Sequence, residues 1–167
     1  LEEVVQANPD AWFQAYLPGE PTIITPLVER AQAAGFETLV LTVDVQVPAN
    51  RENNVRAGFS TQMRPTPSLI WQGLSHPRWL INTFARTLIN HGMPHFENNF
   101  DHRGPPIISA KVQQSNMDRG HLTWDHLARI REIWPHRLIV KGVLHPLDAQ
   151  RAVSIGAQGL IVSNHGG

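Results

Sequence analysis

No cysteine occurs in the 167 residues, which removes disulfide frameworks, thiolate metal sites, iron–sulfur clusters and cysteine nucleophiles together. Redox chemistry here needs a borrowed cofactor. An excess of charge of one sign is also missing, since fourteen Lys plus Arg balance fourteen Asp plus Glu. Nucleic acid is therefore not an expected partner. No apolar run approaches the roughly 18 residues of a spanning helix, and no basic-then-apolar leader opens the chain. Neither secretion nor a transmembrane anchor is expected, and a cytoplasmic location is. The Gly-rich turn of dinucleotide folds and the P-loop are absent as well. What is present, 41% hydrophobic and 17% charged residues, is the composition of a folded protein. The chain opens on Leu1 and stops at Gly167 inside what looks like an unfinished motif, so it is taken as a fragment.

Three stretches share one grammar. At 25–44, Thr25 is placed to cap a helix with Pro26 in its first turn. Leu27, Val28, Ala31 and Ala34 form the apolar stripe, Gly35 ends the helix, and a buried strand runs from Thr38 to Val43. At 123–141, Thr123 caps, Leu127, Ile130 and Trp134 share a face, Pro135 stops the helix and Leu138-Ile139-Val140 forms the strand. At 146–163, Pro146 opens, Ala149, Ala152 and Val153 face inward, Gly156 closes and Leu160-Ile161-Val162 is the strand. Repeated helix, turn and continuous apolar strand is the pattern of a parallel α/β sheet with crossover helices.

Missing phosphate turns favour a (β/α)₈ TIM barrel over a doubly wound fold. So does the position of polar side chains at or just after strand ends: Gln14 and Tyr16, Thr42 and Asp44, Lys141, and Asn164 with His165. In a barrel those positions line the catalytic face. A whole barrel takes about 250 residues, so one partial barrel domain of about four strands is expected over 1–167. A long inserted loop at 60–105 interrupts it. That insertion carries Trp71, Trp79, Phe84, Phe96 and Phe100, four of the nine histidines, and Arg64, Arg78, Arg86 and Arg103. Residues 76–90 can form an amphipathic helix from Pro77, with Trp79, Leu80, Phe84 and Leu88 along a stripe. Packing on the barrel, a subunit contact and a membrane-surface patch are three readings of that stripe.

An imidazole (His165), a carboxylate (Asp44), a phenol (Tyr16), a guanidinium (Arg51), an amide (Gln14) and an ammonium (Lys141) converging on one barrel mouth suit proton abstraction beside an anion. Each also has a plain structural reading. Asp44 can cap a loop, Tyr16 can pack at a core edge, Arg51 can pair with Glu52, Lys141 can bridge strands, and His165 can be a turn histidine. His91 and His95 have the spacing of a helical metal pair, but Gly92 and Pro94 break the helix that spacing assumes, so no metal site is expected. Residues 156–159 read as a helix-to-strand turn, and Trp124 and Trp134 as core.

Five segments in order, Trp12-Phe-Gln-Ala-Tyr16, Leu41-Thr-Val-Asp44 with Arg51-Glu52, Leu122-Thr-Trp-Asp125, Val140-Lys-Gly-Val143 and Ser163-Asn-His-Gly-Gly167, resemble the FMN-dependent 2-hydroxy acid dehydrogenase and oxidase family over essentially the whole chain. Within it, His76-Pro-Arg-Trp79, His91-Gly-Met-Pro94 and Ile133-Trp-Pro-His136 look most like the mandelate dehydrogenase branch, with membrane-associated L-lactate dehydrogenases nearby. The resemblance implies that the strands are about the third to sixth of the barrel. His165 would be the catalytic base with Asp44 beside it, Arg51 would clamp the substrate carboxylate, and Tyr16 would hydrogen-bond the substrate. Gln14, Thr42, Lys141 and Ser163 would contact FMN.

The implied reaction is oxidation of a lactate- or mandelate-type (S)-2-hydroxy acid to the 2-keto acid, with electrons passing on to a quinone or other acceptor. The alternatives are a soluble oxidase using oxygen, another FMN barrel chemistry, or an inactive truncated half barrel. A homotetramer and peripheral attachment through 60–105 to the inner face of the cell membrane are expected by the same analogy. The family's second carboxylate-binding arginine falls one residue beyond Gly167, and Ala49 and Asn53-Asn54 depart from its usual pattern. The isolated 167 residues are accordingly expected to be inactive.

Overall fold

The computed structural model describes residues 1–45, 52–56, 66–109 and 122–165. Its elements are α1 Glu2–Ala7, β1 Phe13–Ala15, α2 Pro21–Ala34, β2 Thr38–Thr42, α3 Glu52–Arg56, α4 Pro67–Leu74, a helical run α5 over 77–91, α6 Trp124–Ile133, β3 Arg137–Lys141, α7 Pro146–Ile155 and β4 Gly159–Ile161.

All four strands are parallel, in the order β1-β2-β3-β4. Among the described residues that order never reverses, so there is no switch point of the kind at which a doubly wound sheet binds its ligand. Register puts Leu41 beside Ala15 and Val140, and Val140 beside Leu160. These residues, with Phe13, Leu39 and Leu138, pack into one core with the stripes of α2, α6 and α7. The opposite face carries Gln14, Val40, Thr42, Ile139, Lys141 and Ile161, because side chains alternate along a strand. Helix α6 lies between α2 and α7. Trp134, fully buried, anchors it, its indole Nε1–H donating to Arg137 O at 2.9 Å. Trp124 sits at the rim, half-buried, with the Arg151 guanidinium 4.9 Å above its ring.

Two limits have consequences for burial where they differ from the sequence reading. Helix α2 starts at Pro21, not Thr25, with Glu20 extended before it, and Pro26 lies inside the helix. The earlier start buries Ile24 at 1% exposure beside Leu27 and Val28. That apolar burial offsets the hydrogen bond Pro26 cannot donate. At the other edge, β4 ends at Ile161, leaving Val162 78% exposed. Its pairing with β3 stops where Lys141 faces Ile161. Other strand limits shift by one residue, β2 ending at Thr42 rather than Val43 and β3 spanning Arg137–Lys141, while Gly35 and Gly156 close α2 and α7 in the left-handed conformation, as the sequence required.

The insertion behaves as a separate arm. Its residues 60–65, Arg64 among them, lie outside the described residues. Helix α4 starts at Pro67 with the Thr66 hydroxyl accepting from Leu69 N–H at 3.2 Å, and α5 follows. None of the residues in α4 or α5 is buried, so the stripe is not covered by the four described strands. A π turn over Leu80–Ala85 interrupts α5. It lengthens the repeat, so Trp79 and Phe84, five residues apart, stack at 5.7 Å. The α5 helix ends at His91, with Gly92 at φ +72°. The predicted break between His91 and His95 is therefore real, and no three metal-ligating side chains cluster among the described residues. No helix among them is long and apolar enough to cross a membrane.

After the arm the chain returns through a tight loop. His95 Nδ1 lies 2.6 Å from Gly104 O, and Gly104 N–H donates to Phe96 O at 3.0 Å. Arg30 on α2 fastens this loop to the body. Its guanidinium forks onto Glu2 at 2.8 and 2.9 Å and donates to Glu97 O and Phe100 O, both at 2.9 Å.

Candidate active site

The described strand ends bring seven of the eight sequence-designated site residues to one rim: Gln14 and Tyr16 from β1, Thr42 and Asp44 from β2, Lys141 from β3, and Ser163 and His165 after β4. Parallel pairing causes this convergence, because all four strands point their carboxyl ends the same way. The eighth, Arg51, lies outside the described residues, as does Ala49. Glu52, the plain alternative partner for Arg51, lies 3.4 Å from Arg56 in an exposed pair.

Asp44 is the hub. Its side chain is 5% exposed, and its two oxygens are divided: Oδ2 accepts from Lys141 Nζ at 2.8 Å, and Oδ1 lies 3.0 Å from His165 Nδ1. Burial alone would push its carboxyl up. Hydrogen bonds from Lys141, Ser163 and His165, with the Lys141 charge, outweigh that and hold it at about 2. Asp44 is then an acceptor only, so His165 Nδ1 carries the proton that bonds it, and in the neutral imidazole the lone pair is on Nε2. That tautomer makes the 3.4 Å approach of Lys141 Nζ to Nδ1 a contact between two donors, each satisfied by Asp44.

Ser163 ties the turn together. Its hydroxyl oxygen accepts from Lys141 Nζ at 3.1 Å and from His165 N–H at 3.0 Å. The second bond holds His165 at φ +62°, a left-handed conformation uncommon outside glycine and concentrated at functional sites. Tyr16, 39% exposed, stands edge-on to the imidazole with ring centres 6.1 Å apart. Gln14 Nε2 donates to Thr42 Oγ1 at 2.9 Å and to Tyr16 OH at 3.2 Å. A cavity of about 280 Å³ runs along the β1 edge past Trp12, Leu27, Phe36 and Asn98, and meets this rim only through Gln14 and Tyr16.

A planar ring system edged with nitrogen and oxygen acceptors needs a row of donors beside an apolar floor. Gln14, Thr42, Lys141 and Ser163 supply amide, hydroxyl and ammonium donors along three adjacent strands and the turn after the fourth, and Val40, Ile139 and Ile161 lie below them on the same face. The donor set therefore fits a flavin. Two functions of the rim escaped the sequence reading: the division of Asp44 between Lys141 and His165, and the close approach of Gly142 to Asp44. The glycine after a strand-end lysine was the one signal available for the second.

Comparison with known proteins agrees with this geometry. The FMN-dependent dehydrogenase family model matches residues 1–167. An L-lactate dehydrogenase of Azorhizobium caulinodans is 38% identical over all of this chain and 43% of its own length. An (S)-mandelate dehydrogenase of Pseudomonas putida is 36% identical over 97% of this chain and 40% of its own. Among solved structures, the monotopic membrane protein (S)-mandelate dehydrogenase superposes with a TM-score of 0.69 at 34% identity, covering 95% of this chain and 41% of that one. A mandelate oxidase superposes at 0.64 and 26% identity, over 99% and 37%. The chain thus spans about two fifths of the length of these relatives. With a family model matched end to end and a flavin-compatible donor row on its strand ends, this chain belongs to the FMN-dependent dehydrogenase family.

Proposed function

We propose that this chain carries the base and part of the FMN-binding rim of an enzyme that oxidises an (S)-2-hydroxy acid of lactate or mandelate type to the 2-keto acid. The four strands are then about the third to sixth of a (β/α)₈ barrel. The observation that carries the reading is the Lys141–Asp44–His165 cluster, which leaves an imidazole nitrogen free beside a donor row suited to a flavin. When bound, FMN supplies the two-electron acceptor for the alcohol carbon. Gln14, Thr42 and Ser163 would hold its polar edges, and Lys141 would set a positive charge beside them.

His165 Nε2 takes the proton that leaves the substrate, and the Asp44 carboxylate at Nδ1 faces the positive charge so formed. Tyr16 OH hydrogen-bonds the substrate oxygen. Arg51 forks onto the substrate carboxylate, for which its planar guanidinium is suited. The exposed α4 and α5 arm attaches the enzyme to the inner face of the cell membrane from the cytoplasm. Its exposed Trp71, Trp79, Ile81 and Phe84 support this, as does the likeness to a relative described as a monotopic membrane protein. Membrane attachment suits a quinone as electron acceptor, and a homotetramer is the assembly we assign by family likeness.

The test uses the complete polypeptide. Mixed anaerobically with (S)-lactate and (S)-mandelate in turn, the purified yellow protein is expected to lose its flavin absorbance. A protein bleached by neither acid, or one that cannot be loaded with FMN, overturns the assignment. The likeness to mandelate oxidase favours a second reading, with oxygen as acceptor. Rapid recovery of colour on readmitting air would select it.

A further inference from the structure

Gly142 follows Lys141 at the end of β3, with φ +105°. A Cβ added there would stand 2.5 Å from Asp44 Cβ, 2.7 Å from its Cγ and 2.8 Å from its backbone nitrogen. Those are backbone and short side-chain atoms, with no flexible end to swing aside. Nor is the strand free to retreat. Gly142 N–H donates to Ile161 O on β4, and Val43 N–H donates to Lys141 O, both at 2.9 Å. One residue is thus bonded to the neighbour on one side, and the residue before it to the neighbour on the other. The side chain that fills the space a Cβ would need is Asp44, with one oxygen on Lys141 and the other on His165.

We infer that Gly142 is a positioning residue for the reaction: its missing side chain is the space that lets the Asp44 carboxylate stand between Lys141 and His165 and hold the imidazole with Nδ1 protonated and Nε2 free. The inference rests on the reading of His165 as the base. Gly35 separates this from backbone strain alone. It has nearly the same φ, +102°, at the end of α2, yet a Cβ there meets nothing within 4 Å. Gly35→Ala therefore imposes the left-handed strain without the collision.

The test compares Gly35→Ala, Gly142→Ala, Asp44→Asn and the double variant Gly142→Ala/Asp44→Asn in the complete FMN-loaded enzyme. Gly142→Ala should slow anaerobic bleaching by hydroxy acid about tenfold or more, and Gly35→Ala should stay within about twofold. In the Asp44→Asn background, Gly142→Ala should add no more than about twofold, because the contact it disturbs is already gone. A Gly142→Ala enzyme as fast as Gly35→Ala, or a full loss repeated in the Asp44→Asn background, overturns the inference.

A second readout does not need turnover. The ring-nitrogen NMR signals of His165, assigned by their absence in His165→Asn, should show Nδ1 protonated in the unmodified enzyme and change in Gly142→Ala as in Asp44→Asn. An unchanged spectrum overturns the inference even if no hydroxy acid bleaches the flavin, the result that would instead sink the proposed reaction. Should Gly142→Ala not accumulate folded, Asp44→Gly removes the two nearest colliding atoms. Recovery of folded protein in Asp44→Gly/Gly142→Ala supports the contact, and failure of that double variant while Asp44→Gly alone folds overturns it.

Discussion

At the carboxyl ends of the strands a carboxylate is buried at 5% exposure, while on the α4 and α5 arm Trp71 is 70% and Ile89 is 81% exposed. Each region inverts the usual placement of charge outside and apolar surface inside. They do so at different expense. The strand-end inversion is compensated atom by atom, with a partner for each Asp44 oxygen, and among the described residues no buried side-chain polar atom lacks a hydrogen bond. The arm's apolar surface is covered by nothing among the described residues. A buried charge that is fully partnered belongs to chemistry done inside the fold, whereas an apolar surface left bare belongs to contact with something outside it.

The largest expected effect breaks the first region alone. Replacing His165 by Asn in the complete enzyme removes the free nitrogen while keeping a side chain of polar character at the turn. Bleaching by hydroxy acid should slow by about 10² to 10⁴-fold, the range for losing a general base, with FMN content unchanged. A His165→Asn enzyme within tenfold of the original would deny the strand-end cluster its chemistry. Asp44→Asn should follow in size and appears in stability as well. It leaves the mostly buried Lys141 without its anion, a loss of about 3–5 kcal/mol for a broken buried pair. Glu97→Gln removes the Arg103 partner from a pair in which both side chains are about half exposed, and there the change should stay below about 1 kcal/mol. Urea midpoints measure both. Equal shifts would erase the contrast between partnered burial and surface pairing.

Acid sharpens the same contrast. The Asp44 carboxyl lies at about 2 in the folded chain against 3.8 for a free one. A depressed folded value means that its stabilisation is present above 3.8 and is lost as pH falls from there through about 2. For so buried a group the difference amounts to about 2 kcal/mol. Glu2 is also held at about 2, chiefly by its hydrogen bond with Arg30, but its side chain is 48% exposed and salt screens its charge. Stability measured between pH 2 and 6 in high salt should therefore retain an Asp44-dependent slope that Asp44→Asn removes. A variant whose slope matches the original would show that the carboxylate is not held as described.

Both regions were visible in the amino-acid sequence, though to different depths. The strand cores announced themselves because parallel strands buried on both faces are continuous apolar runs, and Leu39-Val40-Leu41 and Leu138-Ile139-Val140 are such runs. Six rim residues were placed by counting to strand ends, since parallel strands put their ends on one side, and Ser163 entered only through the family resemblance. Limits were harder: Pro26 looked like a helix start because local proline preference points there, yet burial of Ile24 carried the helix back to Pro21. The π turn left no signature in the periodicity of Trp79, Leu80, Phe84 and Leu88. Gly142 was quoted in a motif but given no role, since a collision with a residue 98 positions earlier exists only after the strands pair.

The smallest expected effect on stability falls on the arm, and it tests the other half of the comparison. Trp71 on α4 and Ile89 on α5 are among its most exposed apolar side chains. Exposed side chains without packing partners contribute little to folding, so Trp71→Ser and Ile89→Ser should each change stability by no more than about 0.5 kcal/mol. The rate of flavin bleaching should not move either, because the arm contributes no residue to the strand-end cluster. What should fall is the fraction of the complete enzyme that sediments with membrane vesicles, since apolar area is what drives such attachment. Unchanged sedimentation in the double variant would remove the membrane from the proposal. A stability loss above about 2 kcal/mol would mean that these side chains are covered by another part of the protein, and the arm would then be core, with the inversion that sets it apart from the strand ends no longer there.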